Sequence, residues 1–261
     1  MKFGIYSNPK KDENGEIYKL AVSTVESNGA SAEKFELGKH YDFVVTIGGD
    51  GTILRVAKHC ATIGAPILGI NRGTVGFLTE AEPTEIDIAV KKILRREYLI
   101  ERRSMIDVTV GENKYHALND AVITRSGCRL CTMEVRVADE LIDRFTCDGY
   151  IAATPTGSTA YSLSAGGSVI SPNTPVIALT PVNPHTLRTR PVVVGSFENI
   201  AMTCVDGQAE LYIDGQETET LAPGTNVHVT GWDKSALFVR FNTKSFYSRL
   251  LDKLNDWSKE E

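Results

Sequence analysis

The five residues Gly48-Gly49-Asp50-Gly51-Thr52 gather three glycines, a carboxylate and a hydroxyl into one short turn. Glycine lets a backbone approach an anion closely, and a helix starting just beyond offers free N–H groups and a favourable dipole. That is phosphate-handling chemistry. A carboxylate there repels the same anion, so it needs a task. It can hold a divalent cation bridging to phosphate, accept a proton from an attacking hydroxyl, or simply cap the helix. The turn is not a Walker A loop, since no G-K-[ST] follows, and it is not a G-x-G-x-x-G dinucleotide fingerprint.

Two further stretches have the composition of a nucleotide site. Thr154 to Gly167 is rich in Gly, Ser and Thr around one aromatic, Tyr161. Small hydroxyl residues supply donors and acceptors, and a tyrosine among them either stacks on a flat base or fills a core. Asn119-Asp120 sets an amide beside a carboxylate, a pair suited to vicinal ribose hydroxyls or to an Asx turn at a strand start. Arg55, one turn into the helix after Asp50, adds positive charge near the glycine turn or lies on a solvated face. Cys128 and Cys131 form a lone C-x-x-C without a second ligand pair, which reads as two structural thiols. His40, His59, His116 and His228 match no ligand pattern, and His185 reads as structural.

The elements that must position these residues follow from periodicity. Lys2 to Tyr6, Tyr41 to Ile47 and Pro66 to Ile70 are apolar runs that read as strands. Between and after them Ile17 to Ser27, Thr52 to Cys60 and Thr84 to Arg95 read as helices, with Thr84 as N-cap. Strand-helix alternation predicts an α/β domain over 1–97, a Rossmann-like parallel sheet carrying the glycine turn between its second strand and second helix. From 98 to 241 the pattern becomes short strand-like runs broken by Gly, Asn, Asp and Pro, among them Ile106–Val110, Ala121–Thr124, Glu134–Val137 and Leu237–Phe241. This predicts a mostly β, sandwich-like second domain, with one short helix near Ser158. Over 242–261, Phe246, Leu250, Leu254 and Trp257 recur at helical spacing from Lys244 on, and predict a C-terminal helix that docks back on the body.

Composition narrows the setting. With 42% hydrophobic and 23% charged residues, the 261-residue chain has ample material for a core and is not a disordered protein. The net charge of −5 argues against a broad nucleic-acid-binding face. No stretch approaches the roughly 18 apolar residues of a spanning helix. Five scattered cysteines suit a reducing compartment, and with no signal peptide apparent the expected location is the cytoplasm.

The glycine turn resembles that of the GGDG kinases, which include NAD kinases, diacylglycerol and sphingosine kinases, and 6-phosphofructokinases. Other segments resemble NAD kinases specifically: Asn71-Arg72-Gly73-Thr74-Val75-Gly76-Phe77-Leu78, Asn119-Asp120, Asp148-Gly149, Thr154 to Gly167, Pro184-His185-Thr186-Leu187 with Arg190-Pro191, and Asp214-Gly215-Gln216. They occur in that family's order across nearly the whole chain. The resemblance implies transfer of the terminal phosphate of ATP or polyphosphate to the 2′-hydroxyl of the adenosine ribose of NAD, with Mg²⁺ or another divalent cation carried mainly on the donor phosphates. It implies Asp50 as proton acceptor and Gly51 beside the phosphates. Asn119 and Asp120 would hold the ribose, and Asp148, Thr159, Ala160, Tyr161, Ser162, Ser164 and Gln216 the NAD pocket, with Phe77 walling the cleft. It also implies small-molecule substrates, neither nucleic acid nor membrane as partner, and a homodimer or homotetramer. The stretch between the first strand and the glycine turn is shorter than in many such chains. The alternatives are a diacylglycerol-type lipid kinase and a non-catalytic nucleotide sensor. Thr154 to Gly167 suits a base and ribose better than an acyl chain.

Overall fold

In the computed structural model, residues 1–73, 76–241 and 245–257 are described. In chain order the elements are β1 (Lys2–Ser7), α1 (Glu16–Ser27), β2 (Ser31–Lys34), β3 (Phe43–Gly48), α2 (Asp50–Ile63), β4 (Ile67–Asn71), α3 (Ile86–Leu94), β5 (Leu99–Val110), β6 (Asn113–Ala117), β7 (Asp120–Arg125) and β8 (Cys131–Val137). They continue as β9 (Glu140–Cys147), β10 (Gly149–Ala153), α4 (Tyr161–Ser164), β11 (Val176–Val182), β12 (Val192–Gly195), β13 (Ile200–Asp206), β14 (Ala209–Ile213), β15 (Gln216–Leu221), β16 (Asn226–Arg240) and α5 (Phe246–Trp257). The chain forms two compact units, one of residues 1–102 with 236–261 and one of 103–235. The division therefore falls inside β5 and β16, whereas the sequence pattern drew it at 97 and 241.

The first unit is a parallel sheet in the order β2-β1-β3-β4, extended by the last part of β16, where Phe238 pairs in parallel with Ile67. A parallel sheet is covered on both faces, so its strands are apolar throughout. β3 and β4 are buried at every position. Phe3, Ile5, Val45, Ile47 and Leu68 pack with Ala21 and Val25 of α1 and with Ile86, Ala89 and Ile93 of α3. Each of the Phe, Ile, Val and Leu side chains among them contributes roughly 1.5–3 kcal/mol on burial. α2 turns Ile53, Val56, Ala57 and Cys60 inward, which holds its first turn in place beside the end of β3.

Thr84 does not cap α3. A single turn of 3₁₀ helix, Pro83–Glu85, precedes it, and Glu82 and Glu85 form a reciprocal capping box, the Glu85 carboxylate accepting the Glu82 N–H at 2.8 Å. Pro83 sits at the first helical position, where its missing N–H costs nothing. The polar strand β2 has no apolar signature and escaped the periodicity reading. In α5, Phe246 and Leu250 are half-buried and Arg249 is buried. Lys244 and the side chains of Leu254 and Trp257 lie outside what is described.

The second unit is an antiparallel sandwich. One sheet runs β12-β11-β10-β7-β14-β15. The other pairs β13 with β8 and with the first part of β16, β8 with β9, and β5 with β6. The inward faces of both supply one core, including Ile106, Val108, Ile123, Met133, Val135, Tyr150, Leu179, Met202, Leu211 and Val227. The helix expected near Ser158 is a 3₁₀ turn, Gly157–Thr159, followed by the one-turn α4.

Candidate active site

Asp50 is the first residue of α2, yet its carboxylate does not cap that helix. Its Oδ2 accepts the Phe77 N–H at 2.8 Å and its Oδ1 the Leu78 N–H at 3.0 Å. Gly76 lies directly against the same carboxylate, so close that a Cβ there would overlap Oδ1. Each carboxylate oxygen thus accepts one amide and keeps a second lone-pair direction free. The capping reading falls away: the side chain is aimed by a loop 27 residues downstream. The first turn of α2 has no side-chain cap, and Gly51 is exposed there. Its N–H groups and dipole are therefore available to an anion.

Basic residues surround the neighbouring strand ends. Arg72 donates its backbone N–H to the Gly48 carbonyl at 3.0 Å and its Nε to the Lys11 carbonyl at 3.3 Å. Asn8, at the end of β1, donates Nδ2 to Thr52 Oγ1 at 3.2 Å. An open cleft of 620 Å³ is lined by Lys10, Lys11, Asp12, Glu16, Arg72 and Gly73. Lys10, Lys11 and Arg72 were not singled out from sequence. Their signal was topological: they follow the carboxyl ends of β1 and β4, the parallel strands on either side of β3, where open α/β sheets bind ligands. Arg55 is exposed on α2, and the half-buried Phe77 packs its ring 6.2 Å from that of Phe246. Among the described residues no three His, Cys, Asp or Glu side chains converge as a metal cage.

In the second unit, three distant motifs meet. Asp214, at φ +50° in the turn between β14 and β15, accepts the backbone N–H groups of Leu118 at 2.9 Å, Asn119 at 2.7 Å and Asp120 at 3.2 Å. Thr154 donates its N–H to the Asn119 carbonyl at 2.8 Å and its hydroxyl to the Leu118 carbonyl at 2.6 Å. Gly157 presses on Asn119 so closely that a Cβ would overlap its carbonyl oxygen. Asn119 and Asp120 are thus fixed through their backbones, which leaves both side chains for other work. Burial, with the Asp214 charge nearby, pushes the Asp120 carboxyl up to about 7. Burial likewise raises Asp214, against the three N–H donors that act to lower it.

The polar run divides by exposure. Tyr161 is 43% exposed and Ser164 is exposed, while Thr159 and Ala160 are half-buried. Ser162 points inward instead: it is fully buried, and its hydroxyl pairs with Thr180 Oγ1 at 2.9 Å. Gln216 is exposed at the start of β15. Asp148 lies between Asn183 Nδ2, at 3.0 Å, and Arg125 Nε, at 2.5 Å, and these two hold its carboxyl below the usual range. His185 donates its backbone N–H to the Thr146 carbonyl. Of the C-x-x-C pair, Cys128 is exposed and Cys131 buried, its thiol 3.6 Å from the Cys147 carbonyl.

Comparison with known proteins places the chain in a family. Residues 7–98 match the ATP-NAD kinase N-terminal domain and residues 118–241 the ATP-NAD kinase C-terminal domain. An NAD kinase of Caldanaerobacter subterraneus subsp. tengcongensis is 36% identical over 98% of this chain and 99% of its own length. One of Moorella thermoacetica is 42% identical over 82% of this chain and 71% of its own. An NAD kinase from Archaeoglobus fulgidus, solved in complex with ATP, superposes with a TM-score of 0.81 at 27% identity, covering 98% of this chain and 99% of that one. Yeast NADH kinase complexed with NADH gives a TM-score of 0.82 at 23% identity over 98% and 87% of the two chains, a likeness of fold alone. The chain belongs to the NAD kinase family.

Proposed function

We propose that this enzyme transfers the terminal phosphate of ATP, or of polyphosphate, to the 2′-hydroxyl of the adenosine ribose of NAD, with Asp50 as the general base. The observation that carries the mechanism is the Asp50 carboxylate, held by two backbone amides at the open N-terminus of α2. The 2′-hydroxyl gives its proton to a free lone pair of Asp50. Its oxygen attacks the terminal phosphorus, and the bond to the bridging oxygen breaks, releasing ADP from ATP or the shortened chain from polyphosphate. Such a transition state asks little covalent chemistry of the protein, so positioning and charge neutralisation supply the acceleration. The Gly51 amide, the α2 dipole, Lys10, Lys11, Arg72 and Arg55 offer positive potential to the donor phosphates. A divalent cation such as Mg²⁺ would be carried mainly by the donor phosphates. It supplies further neutralisation when bound.

On the acceptor side, Asn119 and Asp120 hold the ribose, Tyr161 stacks on the adenine, and Asp148, Thr159, Ala160, Ser164 and Gln216 line the NAD pocket. Ser162 serves this pocket from behind, through its bond to Thr180. A homodimer or homotetramer in the cytoplasm completes the reading. The test is a coupled assay of purified protein with ATP, Mg²⁺ and NAD, in which an NADP-specific dehydrogenase reports product. Steady NADP formation is expected; no NADP from ATP or polyphosphate would reject the proposal.

A further inference from the structure

The loop that holds Asp50 is itself held, from its opposite side, by one buried guanidinium. Arg240, at the end of β16 and 9% exposed, donates Nη1 to the Leu78 carbonyl at 3.0 Å and to the Thr79 carbonyl at 3.3 Å, while Nη2 lies 3.4 Å from the Phe77 carbonyl. The guanidinium is also anchored on carboxylates: Nη1 meets Glu80 at 3.1 Å and Nε meets Glu101 at 2.6 Å. Among the described residues no backbone N–H reaches the carbonyls of Phe77, Leu78 or Thr79. Their partners are guanidinium groups: Arg240 reaches all three, and Arg249 of α5 adds a bond to Thr79 alone and another to Glu80.

The segment is therefore a single peptide layer between two side chains of opposite charge. Its N–H groups at Phe77 and Leu78 point at Asp50, and its carbonyls point at Arg240. The Phe77 carbonyl and the Leu78 N–H belong to one peptide group, so a cation at the oxygen polarises the N–H that donates to Asp50 Oδ1. Only a planar fork carries several such bonds in fixed directions; an ammonium on a flexible stem does not. Its charge is balanced by Glu80 and Glu101, as burial demands.

We infer that Arg240 is a positioning residue for phosphoryl transfer: it fixes the peptide segment 77–79, and through it the orientation of the Asp50 carboxylate. This rests on the reading of Asp50 as the base. A carboxylate mis-set by a fraction of an ångström loses the alignment on which proton transfer depends, without weakening either substrate's binding.

The test uses the full chain carrying Arg240→Lys, with two readouts. Amide hydrogen exchange at Phe77 and Leu78 should quicken by about 10–100-fold while β3 keeps its protection. The kcat should fall by about 10–100-fold with KM for NAD and for ATP within about threefold of wild type. Arg249→Lys, which disturbs Thr79 and Glu80 alone, should lower the melting temperature and leave kcat within about twofold. If Arg240→Lys does not fold, Glu101→Gln removes the charge that anchors Nε, and should move both readouts the same way by a smaller factor. Unchanged exchange at both amides with intact kcat overturns the proposal. Faster exchange with intact kcat, where Asp50→Asn is inactive, overturns it too and leaves the base standing. Faster exchange where Asp50→Asn is fully active upholds Arg240's hold on the carboxylate and removes the base reading instead.

Discussion

The Asp214 carboxylate accepts the Asn119 backbone N–H at 2.7 Å across 95 residues of sequence. The same carboxylate also takes the amides on either side. One side chain thus sets the backbone of the pair assigned to the ribose. Asp214→Ala leaves three buried donors without an acceptor, which costs about 3 kcal/mol of stability. It should also raise KM for NAD by about tenfold or more, since Asn119 and Asp120 lose their fixed direction. Urea unfolding and steady-state kinetics on the same preparation check both parts.

Gly76 makes room for Asp50. An alanine at this position puts a methyl group where Asp50 Oδ1 lies, so the carboxylate must turn away from the Phe77 and Leu78 amides. Gly76→Ala should lower kcat by about 100-fold. Its circular dichroism spectrum should stay native, since the clash can be relieved at a partly exposed side chain.

Asp120 couples stability to pH. Its carboxyl, pushed up to about 7 by burial and by Asp214, keeps its proton in the folded chain well above the pH at which the unfolded chain releases it. Its contribution to stability is therefore full below about pH 4 and is lost as pH rises through about 7. Asp120→Asn carries no such dependence. Between pH 5 and pH 8 the wild type should lose about 2 kcal/mol relative to that variant, by urea unfolding at each pH. If the charged form accepts the ribose hydroxyls, KM for NAD falls over the same rise, so binding gains where folding loses.

Tyr161 projects from α4 with 43% of its surface exposed. Tyr161→Ala should raise KM for NAD by about tenfold through loss of base stacking. Tyr161→Phe keeps the ring and should stay within about threefold. Equal effects of the two substitutions would assign the work to the hydroxyl instead.

What the sequence made legible was what is local. β3, the glycine turn and α2 could be read from an apolar run, three glycines and a helical pattern, and the antiparallel unit from short strands with turn residues between them. The capping box at α3 was local too, and was misread because Thr84 drew the cap away from Glu82 and Glu85. The rest is long-range. That Asp50 is held by Phe77 and Leu78, that Asp214 sets Asn119, and that Arg240 grips a loop some 160 residues earlier depend on which strands become neighbours. No spacing encodes that. Ser162 shows the converse limit: the resemblance implied a pocket wall, but successive side chains of a helical turn point about 100° apart, and this one faces Thr180.

The central claim is that Asp50 takes the proton of the attacking hydroxyl, and Asp50→Asn tests it most directly. The asparagine is nearly isosteric and keeps one acceptor oxygen for one loop amide, while its own NH2 faces the other N–H and it cannot serve as a base. In the coupled NADP assay, kcat should drop by about 10²–10⁴-fold, with KM for NAD within a few-fold of wild type and stability lowered by about 1–3 kcal/mol for the loop N–H left without an acceptor. Turnover reduced less than about fivefold would contradict the account and leave the amide-held carboxylate with a purely structural role.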